Sequence, residues 1–180
     1  MFFGGLIGGL IIAIIYMKIK KLPIWKYLDI LVLGVPIAHA FGRIGCFMAG
    51  CCFGAPSDLP WAVTFTDPKC FVSPEYLGIP LHPVQLYESF GLLILFIILM
   101  VIRKYKQFDG QLICLYGMIY PVLRYSLETI RNDPRGFIFN GMFSTSQFIS
   151  IFIFITALIV YIIMKNKYKN QIKQVINEKR

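Results

Sequence analysis

An all-α integral membrane bundle of about five transmembrane helices is the fold class this sequence predicts, as a single transmembrane domain over residues 1–180. Three observations predict it. The chain is 57% hydrophobic and 15% charged, with a mean hydropathy of +0.68, so a soluble domain of this length lacks the polar surface to cover it. Its apolar residues gather in long runs. Its charges fall in short clusters between those runs, as loops flanking membrane spans do.

The first run, Phe2 to Met17, is closed by Lys18, Lys20 and Lys21 and is slightly short of the roughly 20 residues a span needs. Gly4, Gly5, Gly8 and Gly9 form overlapping small-xxx-small pairs that admit a neighbouring helix closely. The second run extends from Tyr27 to about Ala49, with Pro36 as a kink position and His39 and Arg43 inside it. Residues 50–81 are rich in Pro, Gly, Asp and Ser and read as one ordered extracytoplasmic loop, with a short strand at Trp61 to Phe65. The third run, Pro83 to Ile102, starts beside His82, carries Gln85, Tyr87 and Glu88 near its beginning, and is closed by Arg103, Lys104 and Lys106. The fourth, Gly110 to about Ile130, is polar in its second half, and a loop through Asn132, Asp133, Pro134, Arg135 and Gly136 follows it. The fifth, Gly141 to Met164, begins through Ser144, Thr145, Ser146 and Gln147, and a basic tail over residues 165–180 ends the chain.

The Lys/Arg bias sets the expected orientation. Lys18, Lys20, Lys21, Lys26, Arg103, Lys104, Lys106 and the tail fall on one side, against Arg43, Lys69, Arg124, Arg131 and Arg135 on the other. The lysine-rich side is expected to be cytoplasmic, which places the N-terminus outside and the C-terminus inside. The net charge of +9 is then an orientation signal, with no nucleic-acid partner implied. No signal-peptide pattern precedes the first span. An N-out first span is awkward to insert unaided, so the expectation is that relatives carry further helices upstream.

A charge near the bilayer centre costs about 2.5–3.5 kcal/mol on insertion scales, so each one asks for a reason. Tyr120, Arg124 and Glu128 are spaced four apart and share a helix face, and Arg131 continues that stripe. Arg43 and Glu88 lie within the outer ends of their own helices. One reading is structural: Arg124 pairs with Glu128 along its helix, and Arg43 with Glu88 across helices. The functional reading is a lipid-phosphate site, since the planar guanidinium fork suits phosphate and a phospholipid headgroup is the phosphate present at that depth. His82 stands at a helix start, where an imidazole is placed for acid–base work. Gln85, Tyr87 and Glu88 serve either that site or the packing of the helix start. His39, in a Gly/Ala-rich stretch, reads as a packing residue.

Cys46, Cys51 and Cys52 cluster near the outer end of the second helix, Cys70 follows in the loop, and Cys114 is a small core residue of the fourth helix. The spacing C-x4-C-C is not a zinc pattern and C-x-x-C is absent, so no metal and no cofactor is expected. Structural thiols, or a disulfide from Cys51 or Cys52 to Cys70, are both compatible with the spacing.

Three motifs in order, G-R-I-G-C-F-M-A-G-C-C-F-G (Gly42 to Gly54), H-P-V-Q-L-Y-E (His82 to Glu88) and Y-P-V-L-R-Y-S-L-E-T-I-R (Tyr120 to Arg131), resemble the prolipoprotein diacylglyceryl transferase family. The opening F-F-G-G-L-I-G-G and the late F-S-T-S-Q are similar to that family's corresponding segments. The resemblance implies a multi-pass protein of the bacterial cytoplasmic membrane. It implies transfer of diacylglyceryl from phosphatidylglycerol to the thiol of a lipobox cysteine in a preprolipoprotein. It also implies that Arg43 and Arg124 handle phosphate, that Tyr120 and Glu128 are functional, and that Gly54 is required; Arg131, Gln85, Tyr87 and Glu88 join them as substrate-binding candidates. Three positions depart from the family pattern: Phe3 stands where the proposed base histidine would be, Cys46 replaces an asparagine, and Cys51 replaces a glutamate. Two functions are therefore expected in competition, the transferase and a non-catalytic or diverged member that binds phospholipid without lipobox acylation. A thiol-redox protein is disfavoured by the missing C-x-x-C, and a transporter by polar groups gathered at one face and not at the midplane.

Overall fold

The computed structural model describes residues 2–131, 137–138 and 143–178. Among the described residues five α-helices form: α1 (Phe2–Ile19), α2 (Ile24–Met48), α3 (Val84–Arg103), α4 (Gln111–Glu128) and α5 (Thr145–Glu178). Three of them, α2, α3 and α5, are long and apolar enough to cross a membrane. α1 is apolar but holds only 18 residues, and α4, equally short, carries the polar stripe in its second half.

The helix boundaries follow local chemistry. Gly110 precedes α4 with φ +91, a conformation that favours glycine, and the Trp25 ring lies where any Cβ would sit. Ser144 and Gln147 form a reciprocal capping box at the start of α5: the Gln147 N–H donates to Ser144 Oγ at 3.2 Å, and the Ser144 N–H donates to Gln147 Oε1 at 3.0 Å. α5 does not stop where hydropathy falls at Met164 but remains helical to Glu178. Residues 165–178 are helical because Lys, Gln and Asn are tolerated in a helix and no Gly or Pro interrupts them.

Helix α2 packs on α3, α3 on α4, and α4 on α5. Val32, Leu95, Leu99 and Leu112 form the bundle core, and the Ser89 hydroxyl ties α3 to α2 by donating to the Ala40 carbonyl at 3.1 Å. Large apolar side chains stay exposed on the outer faces, among them Ile97 and Val101 on α3 and Phe152 and Ile159 on α5. An exposed apolar face that continuous suits lipid and not water.

The segment between α2 and α3 is ordered, as predicted. β1 (Val63–Thr64) pairs antiparallel with β2 (Pro80–Leu81) in the register Val63 to Leu81, and Phe53, Val72 and Leu81 give the segment a small core of its own. A second antiparallel pair, β3 (Phe137–Ile138) with β4 (Phe143–Ser144), lies between α4 and α5. The predicted loop residues Asn132 to Gly136 and the expected helix start at Gly141 lie outside the described residues.

Candidate functional site

The second half of α2, the start of α3, the end of α4 and the start of α5 meet at one end of the bundle. There the charged residues singled out by sequence come together. Glu88 is fully buried. Its Oε1 lies 3.0 Å from Arg43 Nη2 and accepts a bond from the Tyr120 hydroxyl at 3.2 Å. Its Oε2 lies 4.0 Å from Arg131 Nη1. Glu128 lies 2.7 Å from Arg124 Nη2 along the same helix and 4.0 Å from Arg131 Nε, and it accepts the Ser144 hydroxyl at 2.8 Å. Arg124 Nη2 also donates to Ser146 Oγ at 3.2 Å.

Both pairings expected of the structural reading are therefore present, and Arg131 joins them into one network spanning three helices. Among the described residues, three guanidinium groups meet two carboxylates there. Removing such ions from water is expensive unless each is paired and hydrogen-bonded. Arg43 Nε is nevertheless buried with no hydrogen-bond partner. Glu88 Oε2, on the carboxylate that Arg43 pairs with, is likewise buried without a hydrogen bond.

Gly54 shapes this end by lacking a side chain. Its N–H donates to the His82 carbonyl at 3.0 Å, the Ala55 N–H donates to the Ile130 carbonyl at 2.9 Å, and Gly54 bridges Arg131. This short strap joins the residues before α3 to the end of α4. A Cβ at Gly54 would meet Val84 Cγ2 at 2.5 Å and the His82 backbone oxygen at 2.8 Å. The glycine lets three backbones approach.

His82, Tyr87 and Gln85 are engaged beside the arginine network, with partners of their own. The Tyr87 hydroxyl lies 3.3 Å from His82 Nδ1 and accepts the Trp61 indole N–H at 2.7 Å. Gln85, buried, donates to the Cys51 carbonyl at 2.7 Å. His39 is more than the packing residue its surroundings in sequence suggest. Its Nε2 lies 3.8 Å from Glu88 Oε1 and its ring meets Tyr120 edge-on at 5.2 Å; its spacing of four from Arg43 is the signal that points there. Ser144 and Ser146, helix-start residues by sequence, also bind Glu128 and Arg124. Phe3 belongs to α1.

All five cysteines are thiols. The Sγ atoms of Cys46, Cys51 and Cys52 all lie within 4.8 Å of one another, a grouping that the C-x4-C-C spacing conceals. Cys70 packs instead against Gly50. Burial, with the neighbouring Cys52 and Cys46 adding to it, pushes the Cys51 thiol up to about 12.

Helices of membrane-spanning length around a buried arginine–carboxylate centre at one end fit the class of all-α membrane proteins. Within that class, the chain belongs to the prolipoprotein diacylglyceryl transferase family, whose model matches residues 1–163. It is 44% identical over 160 residues to the phosphatidylglycerol–prolipoprotein diacylglyceryl transferase of Clostridium tetani (strain Massachusetts / E88), covering 88% of this chain and 61% of that relative. It is 37% identical over 170 residues to the second such transferase of Clostridium perfringens (strain 13 / Type A), covering 94% and 64%. With that of Clostridioides difficile (strain 630) it shares 34% over 171 residues, covering 95% and 63%. The chain thus spans about three fifths of the length of these curated relatives.

Proposed function

We propose that this chain transfers the diacylglyceryl group of phosphatidylglycerol to the thiol of a lipobox cysteine in a preprolipoprotein. The observation that carries the reading is the convergence of Arg43, Arg124 and Arg131 at one end of the bundle, with Arg43 Nε unmet. The thiol sulfur attacks the glyceryl carbon that bears the phosphate ester. A C–S bond forms as the C–O bond breaks, and the electron pair leaves on the phosphate oxygen of glycerol phosphate. Charge grows on that oxygen in the transition state, where preset cationic donors stabilise it most. Arg43 and Arg124 take this role, Arg131 adds to the same field, and Glu88, Glu128 and Tyr120 hold the guanidinium groups in place. His82, adjoining the site through Gly54, is the proton acceptor this reading assigns, with Tyr87 orienting its ring. Gln85 braces the Cys51 loop beside the site.

The membrane placement completes the reading. An 18-residue helix is about 27 Å long, near the roughly 30 Å hydrocarbon core, so α1 and α4 count as spans and the total is five. The Lys/Arg bias then puts the N-terminus and the arginine centre outside the bacterial cytoplasmic membrane. In this reading the site takes its phosphatidylglycerol from the outer leaflet, and the last turns of α5 project into the cytoplasm.

The second reading, phospholipid binding without transfer, is favoured by two observations: both carboxylates already pair with arginine, and Phe3, Cys46 and Cys51 replace residues of the family pattern. Purified protein in detergent, given phosphatidylglycerol with a labelled glyceride and a lipobox peptide, separates the two. Label on the peptide thiol supports the transferase. Bound phospholipid with no labelled peptide supports the silent relative.

A further inference from the structure

Helix α2 ends at Met48, and the chain then folds back on itself. The Cys51 N–H donates to the Cys46 carbonyl at 3.1 Å, and the Gly50 N–H to the Phe47 carbonyl at 3.0 Å. Gly50 has φ +70 and Cys52 has φ +64. Left-handed backbone is ordinary for glycine but costly for cysteine, and it persists only where the surroundings impose it. Here they do: buried Gln85 fixes the Cys51 carbonyl, and Phe71 ties its N–H to the Ala49 carbonyl at 3.0 Å. The strained turn returns two cysteines to a third on the helix, leaving all three sulfurs within 4.8 Å of one another and half-buried.

We propose that Cys46, Cys51 and Cys52 form a three-thiolate site for a soft monovalent metal ion of the Cu(I) class. Three sulfurs bound at about 2.3 Å around one ion stand roughly 4 Å apart, so small rotamer changes close the cluster. Thiolates select soft ions. Among the described residues no imidazole or carboxylate joins the group, whereas zinc in structural sites takes four ligands. Coordination releases the thiol protons to solvent, and the fold supplies the clustering before the ion arrives. Cys46 follows Arg43 by three residues on α2, so the ion would sit one turn from the arginine centre. The site stands independently of the transferase reading.

The test is anaerobic titration of the full chain in detergent with Cu(I) against a chromophoric Cu(I) chelator, together with X-ray absorption at the copper edge. One ion per chain with a first shell of three sulfurs is expected. Cys46→Ser, Cys51→Ser and Cys52→Ser should each weaken it on the order of 100-fold or more, and Cys70→Ser and Cys114→Ser should leave it unchanged. Because Cys51 and Cys52 lie outside the helix, their variants should keep the wild-type helical circular dichroism. Uptake that survives all three serine variants, a first shell with oxygen or nitrogen, or preference for Zn(II) in direct competition would overturn the proposal.

Discussion

The two ends of the bundle each bury carboxylates, and they satisfy them in opposite ways. At one end Asp29, 2% exposed, accepts the backbone N–H groups of Gly110 at 2.8 Å and Ile113 at 3.0 Å and pairs with Lys106 at 3.0 Å. Both oxygens are met by the first turn of α4 and a neighbouring lysine, so Asp29 works as a helix cap supplied from α2. At the other end Glu88 is met by side chains alone, from Arg43, Tyr120, His39 and Arg131. A carboxylate consumed by backbone donors closes the fold. One met by long cationic side chains, with Glu88 Oε2 and Arg43 Nε both lacking hydrogen bonds, leaves buried polar groups unmet.

Substitutions at the two ends should therefore part company. The largest effect is expected for Arg124→Ala, which should lower glyceride transfer about 100- to 1000-fold in protein that still purifies as a monodisperse helical fraction; near-normal transfer would return Arg124 to a structural role. Asp29→Asn should do the reverse. It points an amide donor at one of two backbone donors and loses the Lys106 pair, costing about 2–3 kcal/mol in denaturant unfolding, with transfer per folded molecule unchanged. Gly54→Ala probes the arginine end through its backbone. The added methyl meets backbone and Val84, so a loss of about 1–3 kcal/mol should come with slower transfer as Arg131 shifts.

The smallest effect is a pH dependence at the Asp29 end. Burial alone would lower Lys106, but its bonds to Asp109 and Asp29 outweigh that and hold the ammonium above its ordinary value of 10.5. A raised folded value means this contribution is complete below pH 10.5 and is lost as pH rises through the folded value. Thermal stability should therefore carry the full Lys106 contribution, with no pH dependence from it, near neutrality and fall in strong alkali. Lys106→Gln should remove that part of the fall.

Much of the fold is legible in sequence because membrane helices advertise themselves. The apolar runs mark α2, α3 and α4 to within a few residues, and the four-residue spacing of Tyr120, Arg124 and Glu128 is enough to put them on one face. The continuation of α5 past Met164 is hidden because hydropathy reports solvent and not helicity. Asp29 gives no signal among the lysines around it, since its partners are backbone groups of residues 81 and 84 positions away. The cysteine cluster depends on a left-handed residue at Cys52 that spacing rules do not anticipate. The contact of Trp61 with Tyr87 joins a loop to a helix across 26 residues and has no local signature.

Whether the arginine centre holds the departing phosphate is best decided at Arg43, whose unmet donor sets that centre apart. The measurement is transfer of a labelled glyceride from phosphatidylglycerol to a lipobox peptide by Arg43→Ala protein, run beside the wild type and Asp29→Asn. Transfer is expected from the wild type and Asp29→Asn, and none detectable from Arg43→Ala despite intact helicity. Transfer by Arg43→Ala at the wild-type rate would contradict the phosphate role and leave Arg43 as no more than the partner of Glu88.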